Sequence, residues 1–141
     1  LKDYNEPVEY GKSEILREGS EIALVAVGNM VEETEKLYNR FLQEGRQVTF
    51  VNARFIKPLD KAMINHLAES HKLIVTIEEG ILHGGYGALV EEYLESKASD
   101  VKVLPIAIED TFVRHGSIEE LRKMLKIDAE SIYYRIQDIM E

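Results

Sequence analysis

Apolar positions along the chain fall into two regimes, short continuous runs and longer stretches where they recur every three or four residues. The first regime marks strands, the second helices with one buried face. Residues 21–27, Glu-Ile-Ala-Leu-Val-Ala-Val, are almost continuously apolar, as in a strand covered on both faces. Residues 47–51, 73–77 and 101–108 repeat the pattern. Pro105 places the last of them at an edge or on a bend, since proline cannot donate to a ladder. Residues 14–17 make a short strand joined to residues 21–27 by Glu18-Gly19-Ser20. So short a link makes the two run antiparallel.

Helical stripes fill the intervals. Met30, Val31, Thr34, Leu37, Tyr38, Phe41 and Leu42 share one face, and Gly45 stops that helix. Met63, Ile64, Leu67 and Ala68 form the next stripe, behind Asp60 as its N-cap. Leu89, Val90, Tyr93 and Leu94 form the third. Ser117 and Glu120 have capping-box spacing ahead of Leu121, Met124 and Leu125. Asp128 caps a last helix that buries Ile132, Tyr133, Ile136, Ile139 and Met140. Strand–helix–strand units of this length close as parallel crossovers. The pattern predicts an α/β fold, a three-layer α/β/α sandwich on a mixed sheet of about five strands, four parallel and the first antiparallel.

Residues 1–9 are polar, contain Pro7 and have no period. They read as a linker from an upstream domain, with residues 10–141 as one domain, and the start at Leu1 suggests a piece of a longer protein. The length of 141 residues, with 45% hydrophobic and 30% charged, suits a single globular core. A net charge of −9 repels a phosphate backbone and argues against a nucleic-acid surface. Glu32, Glu33, Glu35, Glu91, Glu92, Glu119 and Glu120 read as solvated helix faces. The absence of cysteine removes disulfide and thiolate chemistry and fits a cytoplasmic protein. No run approaches the roughly 18 apolar residues of a membrane span.

Candidate chemistry concentrates in residues 73–94, a strand, the acids Glu78 and Glu79, a turn with His83, Gly84, Gly85 and Gly87, and a helix. Backbone amides at Gly85-x-Gly87 could meet a phosphate at the helix N-terminus. Against this, Val90 stands where a dinucleotide fingerprint needs its third glycine, and two carboxylates precede the turn. A tight corner or a protein interface suits the mechanics better. If the loops of His83 and His115 share one sheet edge, the two histidines could face one another, with Glu78, Glu79 or Asp110 to orient an acid–base pair; the plainer alternative is two surface histidines. His66 and His71 lack metal-ligand spacing. Arg54, just after a strand, suits an anion or an ion pair between loops. The residues alone define no self-sufficient active site.

Longer motifs carry a resemblance. Asn52-Ala-Arg-Phe-Ile-Lys-Pro-Leu-Asp60, Ser70-His-Lys-Leu-Ile-Val-Thr-Ile-Glu-Glu79 and Gly84-Gly-Tyr-Gly87 resemble the C-terminal domain of the transketolase family. Asp110-Thr-Phe-Val-Arg-His-Gly116, Glu119-Glu-Leu-Arg122, Leu125-Lys-Ile-Asp-Ala129 and Tyr10-Gly-Lys-Ser-Glu-Ile-Leu-Arg-Glu-Gly19 resemble the third domain of its 1-deoxy-D-xylulose-5-phosphate synthases. The resemblance implies part of a homodimeric enzyme that uses thiamine diphosphate and Mg²⁺ to condense pyruvate with glyceraldehyde 3-phosphate, releasing CO2. It implies that other domains hold the cofactor and the metal, so no catalytic, cofactor-binding or metal residue is carried onto this chain, which would be inactive alone. Arg54, Glu78, Glu79, His83, Gly84, Gly85, Gly87 and His115 are then expected to form an interface or a structural turn. Alternatives are the same domain of a transketolase or of a 2-oxo-acid dehydrogenase β subunit, and a stand-alone anion- or nucleotide-binding module.

Overall fold

A computed structural model describes residues 12–54, 58–81, 85–108 and 118–140. The expected linker at residues 1–9, His83, Gly84, the loop carrying Asp110, Arg114 and His115, and Ser117 lie outside the described residues. The chain runs β1 (Glu14–Arg17), β2 (Glu21–Ala26), a 3-10 turn (Gly28–Met30), α1 (Val31–Gln43), β3 (Thr49–Asn52), α2 (Lys61–Ser70) and β4 (His71–Ile81). It continues with α3 (Tyr86–Ser96), β5 (Lys102–Ile108), α4 (Ile118–Met124) and α5 (Ala129–Met140). The sheet order is β1-β3-β2-β4-β5. β2, β3, β4 and β5 are parallel, and β1 runs antiparallel at one edge. Pro105 sits on the opposite edge strand, as a residue without an N–H requires.

β1 and β2 oppose one another in direction, yet β3 lies between them. Gly19 makes that possible: a Cβ there would stand 2.3 Å from the Gln47 carbonyl oxygen. The link therefore passes flush against the start of β3, where the Ser20 N–H donates to the Gln47 carbonyl at 3.0 Å.

Two apolar layers cover the sheet. Ile22, Leu24, Phe50, Leu73, Val75 and Ile77 pack with Leu37 and Phe41 of α1 and Ile132 and Ile136 of α5. Ala23, Val25, Val51 and Ile74 pack with Ile64 and Leu67 of α2 and Tyr86, Val90 and Leu94 of α3. The strict alternation along β4 thus sends odd residues to one layer and even residues to the other. Leu42, expected in the buried stripe of α1, is 48% exposed. It lies at the edge of the stripe, where the helix surface curves off the sheet.

Three helices end on a residue with positive φ that lets the next amides reach back to free carbonyls. Gly45 (φ 77°) does this for α1 as its sequence promised, but Ala98 (φ 53°) and Lys126 (φ 61°) do it for α3 and α4. Asp60 caps α2 through Oδ1, which accepts the Met63 N–H at 3.2 Å. Its Oδ2 accepts the Ser13 N–H at 2.7 Å and so pins the residue just before β1.

Candidate functional site at the carboxyl edge of the sheet

Ligands of doubly wound sheets sit beyond the carboxyl ends of the strands, where helices from two neighbouring strands leave to opposite faces. Here that place lies between β2, followed by α1 on one face, and β4, followed by α3 on the other. The crevice is bridged by the chain's own side chains. Asn29 Nδ2 donates to Glu79 Oε2 at 2.7 Å, and Glu79 Oε1 accepts from Arg122 Nε at 2.6 Å. Arg122 also lies 3.7 Å from Glu33 Oε1, so one guanidinium joins α4 to β4 and α1. Glu33 reads by composition as a solvated acid, yet it is buried. Its Oε2 accepts the Ala129 N–H at 2.7 Å and caps α5 from another helix. Asp128 was the expected cap, but its Oδ1 is buried without a partner among the described residues.

β4 is longer than its apolar run and carries Glu78 and Glu79 inside the strand rather than in the turn. The even parity of Glu78 turns its side chain under α3, and there both carboxylate oxygens are used. Oε1 accepts the Tyr86 N–H at 2.9 Å and Oε2 the Gly87 N–H at 2.8 Å. Charge-assisted bonds of this kind satisfy two free donors and oppose the positive end of the helix dipole. The place where an incoming phosphate would dock is therefore filled by a carboxylate from the same chain. Gly87 is needed beneath it, since a Cβ would meet Thr76 Oγ1 at 2.6 Å and Pro105 Cβ at 2.9 Å.

Tyr86 is buried beside this cap, its hydroxyl without a partner among the described residues. Burial pushes its pKa above the ordinary phenol value, and the carboxylates of Asp60 and Glu78 push it the same way. It stays neutral and offers no base. Arg54 adopts a positive φ of 63°, held by its own N–H donating to Asn52 Oδ1 at 3.0 Å. Its Nη2 pairs with Glu14 Oε1 at 2.6 Å. That ion pair ties the residues just after β3 to the first residue of β1.

The structure brings Glu78, Gly85 and Gly87 together at the start of α3, sets Glu79 on the opposite side of β4, and leaves Arg54 apart at the β1 edge. Sequence reasoning missed Asn29, Glu33 and Arg122. The parity of β4 held the one available signal for Glu78, since Ile74, Thr76 and Glu78 continue one face. The partners of Glu33 stand 96 residues away in the case of Ala129, beyond any local pattern.

The sequence matches the transketolase C-terminal domain family over residues 11–132. The chain belongs to that family. Among curated relatives it is 42% identical over 137 residues to a 1-deoxy-D-xylulose-5-phosphate synthase from Lachnoclostridium phytofermentans, covering 96% of this chain and 22% of the relative. A synthase of the same name from Clostridium acetobutylicum is 40% identical over 127 residues, covering 90% of this chain and 20% of that protein. The chain thus spans about a fifth of the length of these relatives. Of solved structures, a split-gene transketolase in an inactive β4 tetramer superposes with a TM-score of 0.84 at 24% identity, over 97% of this chain and 44% of the other. A 2-oxoglutarate:ferredoxin oxidoreductase from Magnetococcus marinus shares the fold more loosely, with a TM-score of 0.62 at 13% identity over 94% of this chain and 20% of the other.

Proposed function

We propose that this chain is the C-terminal domain of a 1-deoxy-D-xylulose-5-phosphate synthase and that it serves assembly rather than chemistry. The whole enzyme joins pyruvate to glyceraldehyde 3-phosphate with loss of CO2, using thiamine diphosphate and Mg²⁺ held by domains other than this one. The observation that carries the reading is the pair of bonds from Tyr86 and Gly87 to Glu78. A diphosphate would need those amides, and the buried carboxylate already has them, so the residues present do not fit the cofactor and no catalytic step is assigned to them. Identities of 42% and 40% to synthases of that name support the parent activity.

In this reading Arg54, Glu79, His83, Gly84, Gly85 and His115 serve contacts with neighbouring domains and with the second subunit of a homodimer, while Glu78 and Gly87 shape the start of α3. Residues 1–9 serve as the linker, residues 10–141 as the domain, and the enzyme works in the cytoplasm. The test assays the complete protein and the 141-residue chain side by side with pyruvate, glyceraldehyde 3-phosphate, thiamine diphosphate and Mg²⁺. The complete protein should release CO2 and form the deoxypentulose phosphate, and the chain alone should do neither. Turnover by the chain alone would overturn the assembly role. A complete protein that transfers ketol groups between sugars, or oxidises a 2-oxo acid, would place it elsewhere in the transketolase family.

A further inference from the structure

The amino-terminal rim of the sheet, opposite the site above, carries a hydrogen-bond relay through His71. Its Nδ1 lies 3.0 Å from the Leu67 carbonyl oxygen and 2.9 Å from Ser70 Oγ. A carbonyl only accepts, so Nδ1 bears the proton of the neutral ring, and Nε2 is left as an acceptor. Thr49 Oγ1 stands 2.7 Å from Nε2 and donates to it, while itself accepting the Gly19 N–H at 3.1 Å. The chain of donors runs from the β1–β2 link through β3 to the ring and into α2.

The relay braces a strained segment. Glu21, the register partner of His71 across β2, has a φ of 66°, and the pairing slips by a residue between Glu21 and Ile22. The Ile22 N–H closes a tight turn around Glu21 by donating to the Ser20 carbonyl at 2.8 Å. Positive φ at a residue with a side chain persists only where the surroundings enforce it. This turn also walls a cleft of about 200 Å³ that includes Ser20, Glu21, Arg46 and Gln47.

We propose that His71 is a proton-operated latch: neutral, it holds the turn at residues 19–21 against β3, and protonated, it releases that turn and widens the cleft. A proton on Nε2 turns the acceptor into a donor facing the Thr49 hydroxyl. Thr49 is buried, so its own proton then has nowhere to go while the hydroxyl still accepts from Gly19. The charged groups around the ring bias the switch. His66 on α2 disfavours a second cation, and Glu21 on β2 is exposed to solvent. β3 contributes the uncharged Thr49, and Gly19 contributes only its backbone.

Desolvation, first of all, lowers the His71 pKa below the usual 6.5, and His66 lowers it further, while the Leu67 carbonyl acts against them. Below 6.5 the unfolded or opened segment therefore binds more protons than the closed one. The closed latch is fully present above that value and is lost as pH falls through the lowered pKa.

The test follows imidazole nitrogen shifts and amide exchange in the 141-residue chain from about pH 7.5 to the onset of acid unfolding. The expected results are an Nδ1–H tautomer and, once exchange is corrected for its intrinsic pH dependence, a roughly tenfold loss of protection at Gly19 and Ser20 as His71 titrates, the scale of one buried hydrogen bond. Val51, in the middle of β3, should keep its protection. Thr49→Val removes the relay at constant shape and should show low protection at Gly19 at every pH. An Nε2–H tautomer, protection at Gly19 that ignores the His71 titration, or a ring that never titrates before unfolding would each overturn the latch. His71→Phe, with a ring that takes no proton, should lose the pH step; a step that survives there also counts against it.

Discussion

Replacing Glu78 by glutamine keeps the shape of a side chain that is 3% exposed and removes its charge and one of its two acceptors. The amide oxygen can still take one of the two bonds now made at 2.9 and 2.8 Å. The amide nitrogen must then face the other N–H, donor against donor, at a position buried from solvent. Losing a charge-assisted bond costs about 1.5–3 kcal/mol, and the lost charge at a helix N-terminus about 0.3–1 kcal/mol more. Easier burial of a neutral amide offsets part of this, leaving a net loss of about 2 kcal/mol. For a chain of this size that lowers Tm by about 6–10 °C. Thermal unfolding by circular dichroism reads the global loss, and amide exchange at Tyr86 and Gly87 reads the local one. A glutamine variant within about 0.5 kcal/mol of the parent, with those amides still protected, would refute the reasoning, since such a small shift is what surface substitutions give.

Gly87→Ala should cost about 1–2 kcal/mol, because overpacking against Thr76 and Pro105 outweighs the better helix propensity of alanine; an unchanged urea midpoint would contradict that close approach. Ala98→Gly should add about 0.5–1 kcal/mol by relieving the positive φ at the end of α3, and a loss of stability in the same titration would count against this reading of the helix end. Arg122→Met leaves the Glu33 and Glu79 carboxylates without their shared cation and should cost about 2 kcal/mol. A double-mutant cycle with Glu79→Gln should give a coupling of about 1 kcal/mol, whereas strict additivity would contradict the Arg122–Glu79 pairing.

The fold was legible because its determinants are local. Residues 21–27 announce a doubly covered strand, Gly45 ends α1 where expected, and Pro105 marks an edge. The insertion of β3 between β1 and β2 was not legible, because it depends on how closely Gly19 lets two backbones approach. Glu33 was misjudged for a related reason. Glu33 and Glu78 look solvated to any scale that scores residue types, yet Glu33 is buried to cap α5, 96 residues on, and Glu78 to hold the amides that open the following helix, α3. Strand parity placed Glu78 on the covered face, and ending the strand at the first acid concealed it. Of the candidate site, Arg54 pairs with Glu14, and Gly87 stands where a Cβ would meet Thr76 and Pro105.

The amides that open α3 belong to Glu78, and on that ground this domain is expected to bind no phosphate-bearing cofactor by itself. Calorimetric titration of the 141-residue chain with thiamine diphosphate and Mg²⁺, and then with common nucleotides, tests it directly. Flat isotherms at millimolar ligand are the predicted result. A saturable isotherm with one site per chain would contradict the account.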